Sequence, residues 1–373
     1  MLRWQTWTGV ILGLVLGLVW LALLGAGRVN KAPPGGPILS ECDGHFRELV
    51  IHYEPSAREI VARVYREFLG ALEGDVTVHV VCPSRAAYQE LVGIAGQARC
   101  ALHPIIVQHP MTTWSRDRWV AMSLVAGGPT TLWSPRGEAA GEIWPARTGD
   151  EQVGQDIANA LAPVVRARRS PFYFDGGDFL ADSDNVFVVP RVLPRNIQRT
   201  VRNQDEFLNV LAAELKRPVV LLKEAPDHHA GMFMASAGKR RMLVGDPKLG
   251  QQFASSSAQV LASLPQGPDF SAATQHLFDA VAAQCAANGY EVIRIPTVPA
   301  RDGRTYLTYV NVLIDEQGGR RIVYLPQYRG VESMNSAACT IWEKLGFEVR
   351  PVDCTDVYRH FGCLHCLVNV LKR

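Results

Sequence analysis

The sequence predicts a mixed α/β fold organised as one large domain, and three observations carry that prediction. From about residue 45 onward, segments with helical spacing alternate with short apolar runs of strand length. Clusters of Gly, Pro and Asp separate them. No stretch between 45 and 373 has the composition of an interdomain linker. A chain of 373 residues, 47% hydrophobic and 20% charged, has ample material for a large core.

Taken in order, Ala57–Leu72 is a helix because Ile60, Val61, Val64, Phe68 and Leu72 recur on one face. Thr77–Cys82 follows as a strand and Ala86–Ile94 as a helix. Further strands are expected at Ile105–Gln108, Asn185–Val189, Val219–Leu222, Glu291–Ile295, Thr308–Ile314, Arg321–Pro326 and Leu367–Leu371. Further helices are expected at Asp205–Leu215, Ser271–Asn288 and Glu332–Leu345. Ser255–Pro268 reads as a surface loop with a helical turn.

The N-terminal stretch is different in kind. Gly9–Gly27 is an uncharged apolar run that, as a helix, would span about 28 Å, close to the hydrocarbon thickness of a bilayer. Arg3 precedes it, and Arg28 and Lys31 follow. The reading favours an uncleaved anchor over a cleaved signal peptide, for which Gly25-Ala-Gly27 supplies small residues. Ala32-Pro-Pro-Gly-Gly-Pro37 cannot continue a helix. The expected organisation is therefore an anchor or signal segment over 1–28, a Pro/Gly-rich spacer over 29–44 and one domain over 45–373. The lipid bilayer is an expected partner through residues 9–27. The domain is expected on the extracytoplasmic side, with secretion after signal cleavage as the alternative.

A formal net charge of +2 argues against nucleic acid as a partner. No Gly-x-Gly-x-x-Gly and no phosphate-binding loop is present, so no nucleotide cofactor is expected. Eight cysteines show no paired zinc-ligand spacing, and the lone C-x-x-C, Cys363 to Cys366, has no second pair; no metal is expected. In an oxidising compartment Cys42, Cys82, Cys100, Cys285, Cys339 and Cys354 are candidates for disulfides, with buried free thiols as the alternative.

Five polar islands interrupt the apolar pattern: Trp114-Ser-Arg-Asp117, Asp175-Gly-Gly-Asp178, His228-His229-Ala-Gly231, Asn311, and Gly362-Cys-Leu-His-Cys366. Together they supply carboxylates, an imidazole and a late cysteine. That set suits gripping a planar cation and attacking its central carbon. Each island also has a plain structural reading. Asp117 between two arginines makes a surface ion-pair cluster, and Asp175–Asp178 a tight turn. Asn311 serves as a network residue within a strand, and Cys363 with Cys366 as a buried pair.

In this order the islands resemble those of the guanidino-group-modifying enzymes, the pentein superfamily, and in particular agmatine deiminases and peptidyl-arginine deiminases. The resemblance spans roughly residues 45–373. It implies a five-bladed β/α propeller of ββαβ units. Asp117, in W-x-R-D, then holds the substrate guanidinium, with Trp114 and Trp119 as walls and Arg116 orienting the loop. Asp178 is a second cation-binding or loop-fixing carboxylate, and Asn311 contacts the ligand. His229 matches the general acid/base and Cys366 the nucleophile. The position two residues after His229, an Asp in the family, is Gly231 here, which makes Asp178 or Asp227 the candidate replacement. The implied activity is a deiminase acting through a Cys-bound thiouronium on the guanidinium of arginine, agmatine or peptidyl-arginine. The alternatives are a catalytically impaired scaffold that binds a ligand or protein, which Gly231 favours, and, behind it, an amidinotransferase.

Overall fold

The computed structural model describes residues 36–123, 128–136 and 147–373. The apolar run 9–27 and residues 29–35 of the spacer lie outside these residues. Among the described residues no helix is long and apolar enough to cross a membrane.

The strands β1 (Glu48–His52), β2 (Thr77–Cys82) and β3 (Ala101–Ile106) run parallel. They are followed by β4 (Val120–Ser123), β5 (Thr130–Ser134) and β6 (Val165–Arg169) in one sheet. A third sheet holds β7 (Phe179–Ala181), β8 (Val186–Val188) and β9 (Val219–Leu221), and a fourth β10 (Met234–Ser236), β11 (Arg241–Asp246) and β12 (Glu291–Pro296). A short pair, β13 (Val298–Pro299) and β14 (Tyr306–Leu307), precedes a fifth three-stranded group: β15 (Leu313–Gln317), β16 (Arg320–Gln327) and β17 (Phe347–Asp353). Finally β18 (Val368–Lys372) returns antiparallel to β1.

One connectivity recurs in all five larger sheets. An antiparallel pair is followed by a helix and then a strand parallel to the second member. This holds for β4-β5-β6, β7-β8-β9, β10-β11-β12 and β15-β16-β17. It holds also for β18-β1-β2, where the last strand supplies the missing first member. The intervening helices are Asp150–Ala160, Gln204–Leu215, Ala272–Ala287, Glu332–Lys344 and, between β1 and β2, Arg58–Ala71. The ββαβ unit is thus present five times among the described residues.

Local chemistry explains most boundaries. Ser84, Asn203 and Ser271 each accept a backbone N–H from the first turn of the helix they precede, which satisfies one of the otherwise unpaired N-terminal donors. Arg58–Ala71 buries Val61, Val64, Tyr65, Phe68 and Leu69 on one face, as its spacing predicts. β2 is buried on both faces, as parallel strands are.

Three expectations differ from what is found. The strand expected at Ile105–Gln108 lies instead at Ala101–Ile106, at the edge of its sheet, where Pro104 is tolerated. The strand expected from Thr308 begins only at Leu313, because side chains take the place of ladder partners. The Thr308 N–H donates to the Tyr328 hydroxyl at 3.2 Å, that hydroxyl donates to the Thr308 carbonyl at 2.8 Å, and the Trp342 indole N–H donates to the Tyr309 carbonyl at 3.1 Å. Asn311 therefore sits in a buried irregular segment. Lastly, the stretch assigned as spacer packs into the domain from Gly36. Ile38, Leu39 and Glu41 donate their N–H groups to the carbonyls of Leu215, Ala121 and Ala181, and Cys42 is fully buried. All eight cysteines are free thiols, so none of the candidate disulfides forms.

Candidate active site

Cys366 lies in the short turn Leu364–Leu367 that leads into β18, and is 3% exposed. Asn311 fixes this turn. Its side-chain oxygen accepts the His365 N–H at 2.8 Å, while its amide donates to the Gly231 carbonyl at 3.1 Å and lies 3.6 Å from the Cys366 sulfur. One side chain thus ties the nucleophile turn to the His229 loop. The Asp117 loop joins through the Arg116 N–H, which donates to the Cys366 carbonyl at 3.3 Å. Gly362 permits close approach: a Cβ there would come within 2.4 Å of the Trp114 ring. Gly177 plays the same part against the His229 ring, which a Cβ would meet at 2.5 Å.

These loops enclose a cavity of about 480 Å³, a ligand-sized volume. Asp117, His229 and Cys366 all face it, with Trp114 on one wall and Asp227 at the rim. Asp117 is 4% exposed. Its Oδ2 accepts from the Arg147 guanidinium at 2.5 Å, whereas its Oδ1 has no hydrogen-bond partner among the described residues. The Nδ1 of His229, 4.0 Å from that oxygen, is likewise buried and without a partner.

Burial dominates the protonation chemistry. It pushes the Asp117 carboxyl up to about 6 against the pull of Arg147. It pushes His229 down to about 4, with Arg191 adding to the effect, so this imidazole is neutral at pH 7. Burial, then the negative charge of Asp117, pushes the Cys366 thiol up to about 12. At pH 7 the site therefore holds a thiol, a neutral imidazole and a carboxylate.

The carboxylates nominated by sequence are placed unequally. Asp178 is fully buried and does not line the cavity. It accepts the Asp175 N–H at 2.9 Å and two N–H groups of Arg191 at 2.9 and 2.6 Å, which closes the Gly-Gly turn and holds Arg191. Asp227 is largely solvent-exposed, 3.7 Å from Arg191. Asp175 faces the cavity instead. Although burial raises its carboxyl, Arg147, His229 and Arg118 together hold it well below the usual carboxylate range. Asp175 belongs to the Asp-Gly-Gly-Asp motif, whose plain reading is a tight turn. Arg147 and Arg304 carry no motif signal at all.

Gly231 borders a second, very small space behind Cys366, shared with His229, Asn311 and Glu41. A Cβ at 231 would lie 3.2 Å from the Asn311 amide nitrogen. The Glu41 carboxylate enters this space from the segment expected to be spacer and pairs with the Arg116 guanidinium. Burial raises its carboxyl despite that pairing. Asp175, Asp178 and His229 bring ligand-type atoms within 4.8 Å of one another. Arg118 and Arg191 already occupy these carboxylates, so the cluster is an arginine–carboxylate network and not an open cation site.

No protein-family model matches the sequence, and no curated protein sequence matches it. Solved structures do match. The agmatine deiminase of C. jejuni is 14% identical, with 90% of this chain and 96% of that one covered at a TM-score of 0.66. The agmatine deiminase of Enterococcus faecalis is 13% identical, covering 93% and 99% at a TM-score of 0.66. A provisionally named peptidyl-arginine deiminase is 16% identical, covering 90% and 98% at a TM-score of 0.65. The chain thus shares the α/β fold of these solved deiminases, over nearly the whole length of each.

Proposed function

We propose that this protein is a thiol-dependent hydrolase of guanidino compounds, with Cys366 as nucleophile, His229 as general acid and base, and Asp117 as a substrate carboxylate. The observation that carries the reading is the buried Asp117 Oδ1, a carboxylate acceptor without a hydrogen-bond partner among the described residues, on the wall of the cavity that His229 and Cys366 also line. Buried polar atoms are ordinarily satisfied, and an N–H of a planar cation supplies the donor that this oxygen lacks.

A bound guanidinium also answers the protonation problem. Its positive charge offsets Asp117, the charge that raises the Cys366 thiol, and so favours the thiolate. The Cys366 proton passes to the neutral His229 imidazole, and the thiolate adds to the guanidine carbon. His229 returns the proton to one nitrogen, which leaves as ammonia or a small amine, and a thiouronium remains. A water then gives a proton to His229 and adds to the same carbon. The carbon–sulfur bond breaks, His229 returns its proton to the Cys366 thiolate, and the ureido product, which leaves protonated, passes its extra proton to the released ammonia or amine. Asp175, charged and close to His229, stabilises the imidazolium in both halves.

The five ββαβ sheets, in this reading, are the blades of a propeller around the cavity, and residues 9–27 anchor the domain to a membrane on its extracytoplasmic side. Fractionation of the full chain against a version starting at Gly36 tests the anchor: both remaining soluble would reject it. A second reading, a ligand-binding scaffold without turnover, is favoured by Arg147 holding one Asp117 oxygen and by the missing side chain at Gly231.

Arginine, agmatine, methylarginine and arginine peptides, incubated with the protein and with Cys366→Ser, decide between the two. Released amine and ureido product from the unaltered protein alone supports the hydrolase. No product from any of them, with the fold intact, leaves the scaffold.

A further inference from the structure

A second cavity, of about 760 Å³, stands beside the reactive one and is the larger of the two. They share Thr112, Trp114, His360 and Phe361 as walls. The chamber lies between the segment that follows β3, Val107–Trp114, and the start of helix Arg58–Ala71, where Ser56, Ala57 and Ile60 line it. The lining is apolar at depth, from Val107, Met111 and Ile60, and polar at the rim, where Gln108 and His360 are exposed. Phe361 stands at the junction with the backbone in the left-handed region, φ 66°, and its side chain is 49% exposed. A bulky residue rarely adopts that conformation, and such strain gathers at ligand-binding sites.

On the reading of the first cavity as a guanidino site, we propose that the second is a subsite for a large apolar side chain next to the arginine of a peptide substrate. Trp114 and Phe361 wall both cavities, so the residue adjoining an arginine whose guanidinium sits at Asp117 has the second chamber as its neighbour. Gln108 and His360 offer hydrogen-bond partners to the peptide amides there. Free arginine and agmatine end within the first cavity and leave this apolar lining unused.

The test uses short peptides with Leu, Phe or Gly immediately before or after a single arginine. In the full chain, kcat/KM for the apolar-neighbour peptides on one side of the arginine is expected to exceed that for glycine by about tenfold or more. Ser56→Trp, at an exposed position, and Ala57→Phe each project into the second chamber, and either is expected to bring that ratio towards one. Calorimetric titration of the same peptides into Cys366→Ser gives the ranking without turnover. If no peptide is hydrolysed yet the apolar-neighbour peptides bind Cys366→Ser more tightly, the hydrolase reading fails and the subsite stands. Equal or absent binding across the series, or a preference that persists in both filled variants, overturns the subsite.

Discussion

Arg147→Gln is the substitution that most directly probes how the site is held. In the unaltered chain the Arg147 guanidinium lies 2.5 Å from Asp117 and 4.0 Å from Asp175, with its Nε 3.6 Å from Asp150. It is the main charge opposing burial at Asp117. Asp117 already titrates at about 6, against an ordinary value near 4, which makes its ionised form cost about 3 kcal/mol of stability. The sign follows from linkage. A carboxyl whose folded pKa is raised binds more protons folded than unfolded, so stability falls as pH rises from about 4 to about 6 and is level above that. Removing Arg147 raises the Asp117 carboxyl further and extends the falling limb upward. At pH 8 a broken buried pair costs about 3–5 kcal/mol, while at pH 5, where Asp117 is largely protonated in both proteins, the deficit shrinks. Urea unfolding of both proteins at pH 5 and pH 8 measures the two differences. A ligand guanidinium should replace the lost charge, so arginine or agmatine is expected to raise the melting temperature of Arg147→Gln more than that of the unaltered protein. Equal stability of the two proteins at pH 8, or a deficit that does not shrink at pH 5, would falsify the assignment of Arg147 as the neutraliser of Asp117.

Three further outcomes are expected. Haloacetamidine, which brings its own positive charge, should label Cys366 far faster than neutral iodoacetamide at pH 8, because the thiol stands near 12 until a cation arrives; peptide mapping that finds comparable rates, or label only on the fully buried Cys363, counts against the nucleophile assignment. Asn311→Ala removes the acceptor for the His365 N–H and the donor to the Gly231 carbonyl, each costing about 1–3 kcal/mol when left buried and unmet, so urea unfolding should register a loss of about 2 kcal/mol or more together with slower turnover; unchanged stability shows that the two loops hold without it. Gly231→Asp should not simply supply the absent carboxylate: its Cβ crowds the Asn311 amide at 3.2 Å and its charge meets Glu41 in a very small space, so a stability loss of about 2–4 kcal/mol is expected, and higher turnover at undiminished melting temperature would show the crowding argument to be mistaken.

Much of the fold was legible because it rests on local pattern. Thr77–Cys82 forms the strand its short apolar, β-branched run predicts, and Arg58–Ala71 follows its apolar stripe. β6 was not legible: its Val-Arg-Ala-Arg-Arg composition gives no strand signal, and the strand is held by its pairing with β5 and the Arg168–Glu214 ion pair. The segment before β15 was misread for the opposite reason. Thr308–Val312 is apolar enough for a strand, but the Tyr328 hydroxyl and the Trp342 indole take its backbone groups. Of the site, the loops bearing Asp117, His229, Asn311 and Cys366 were legible as ordered motifs, and they do converge.

By itself the sequence determined the residue types available and their order: an α/β chain with W-x-R-D, a His-His pair, an Asn within an apolar run and a late H-C before its last strand. These are properties of neighbours along the chain, where backbone preference and side-chain periodicity act. Which carboxylate faces the thiol was decided only in three dimensions. Asp175 and Asp178 are three residues apart in one turn, yet Arg191 draws Asp178 out of the cavity while Asp175 borders it. Glu41 reaches the rear of the site through Arg116, 75 residues away, and Arg147 reaches Asp117 across 30. Ion pairing and desolvation act through space at a few ångströms, so the charge each group carries depends on partners that sequence spacing does not reveal.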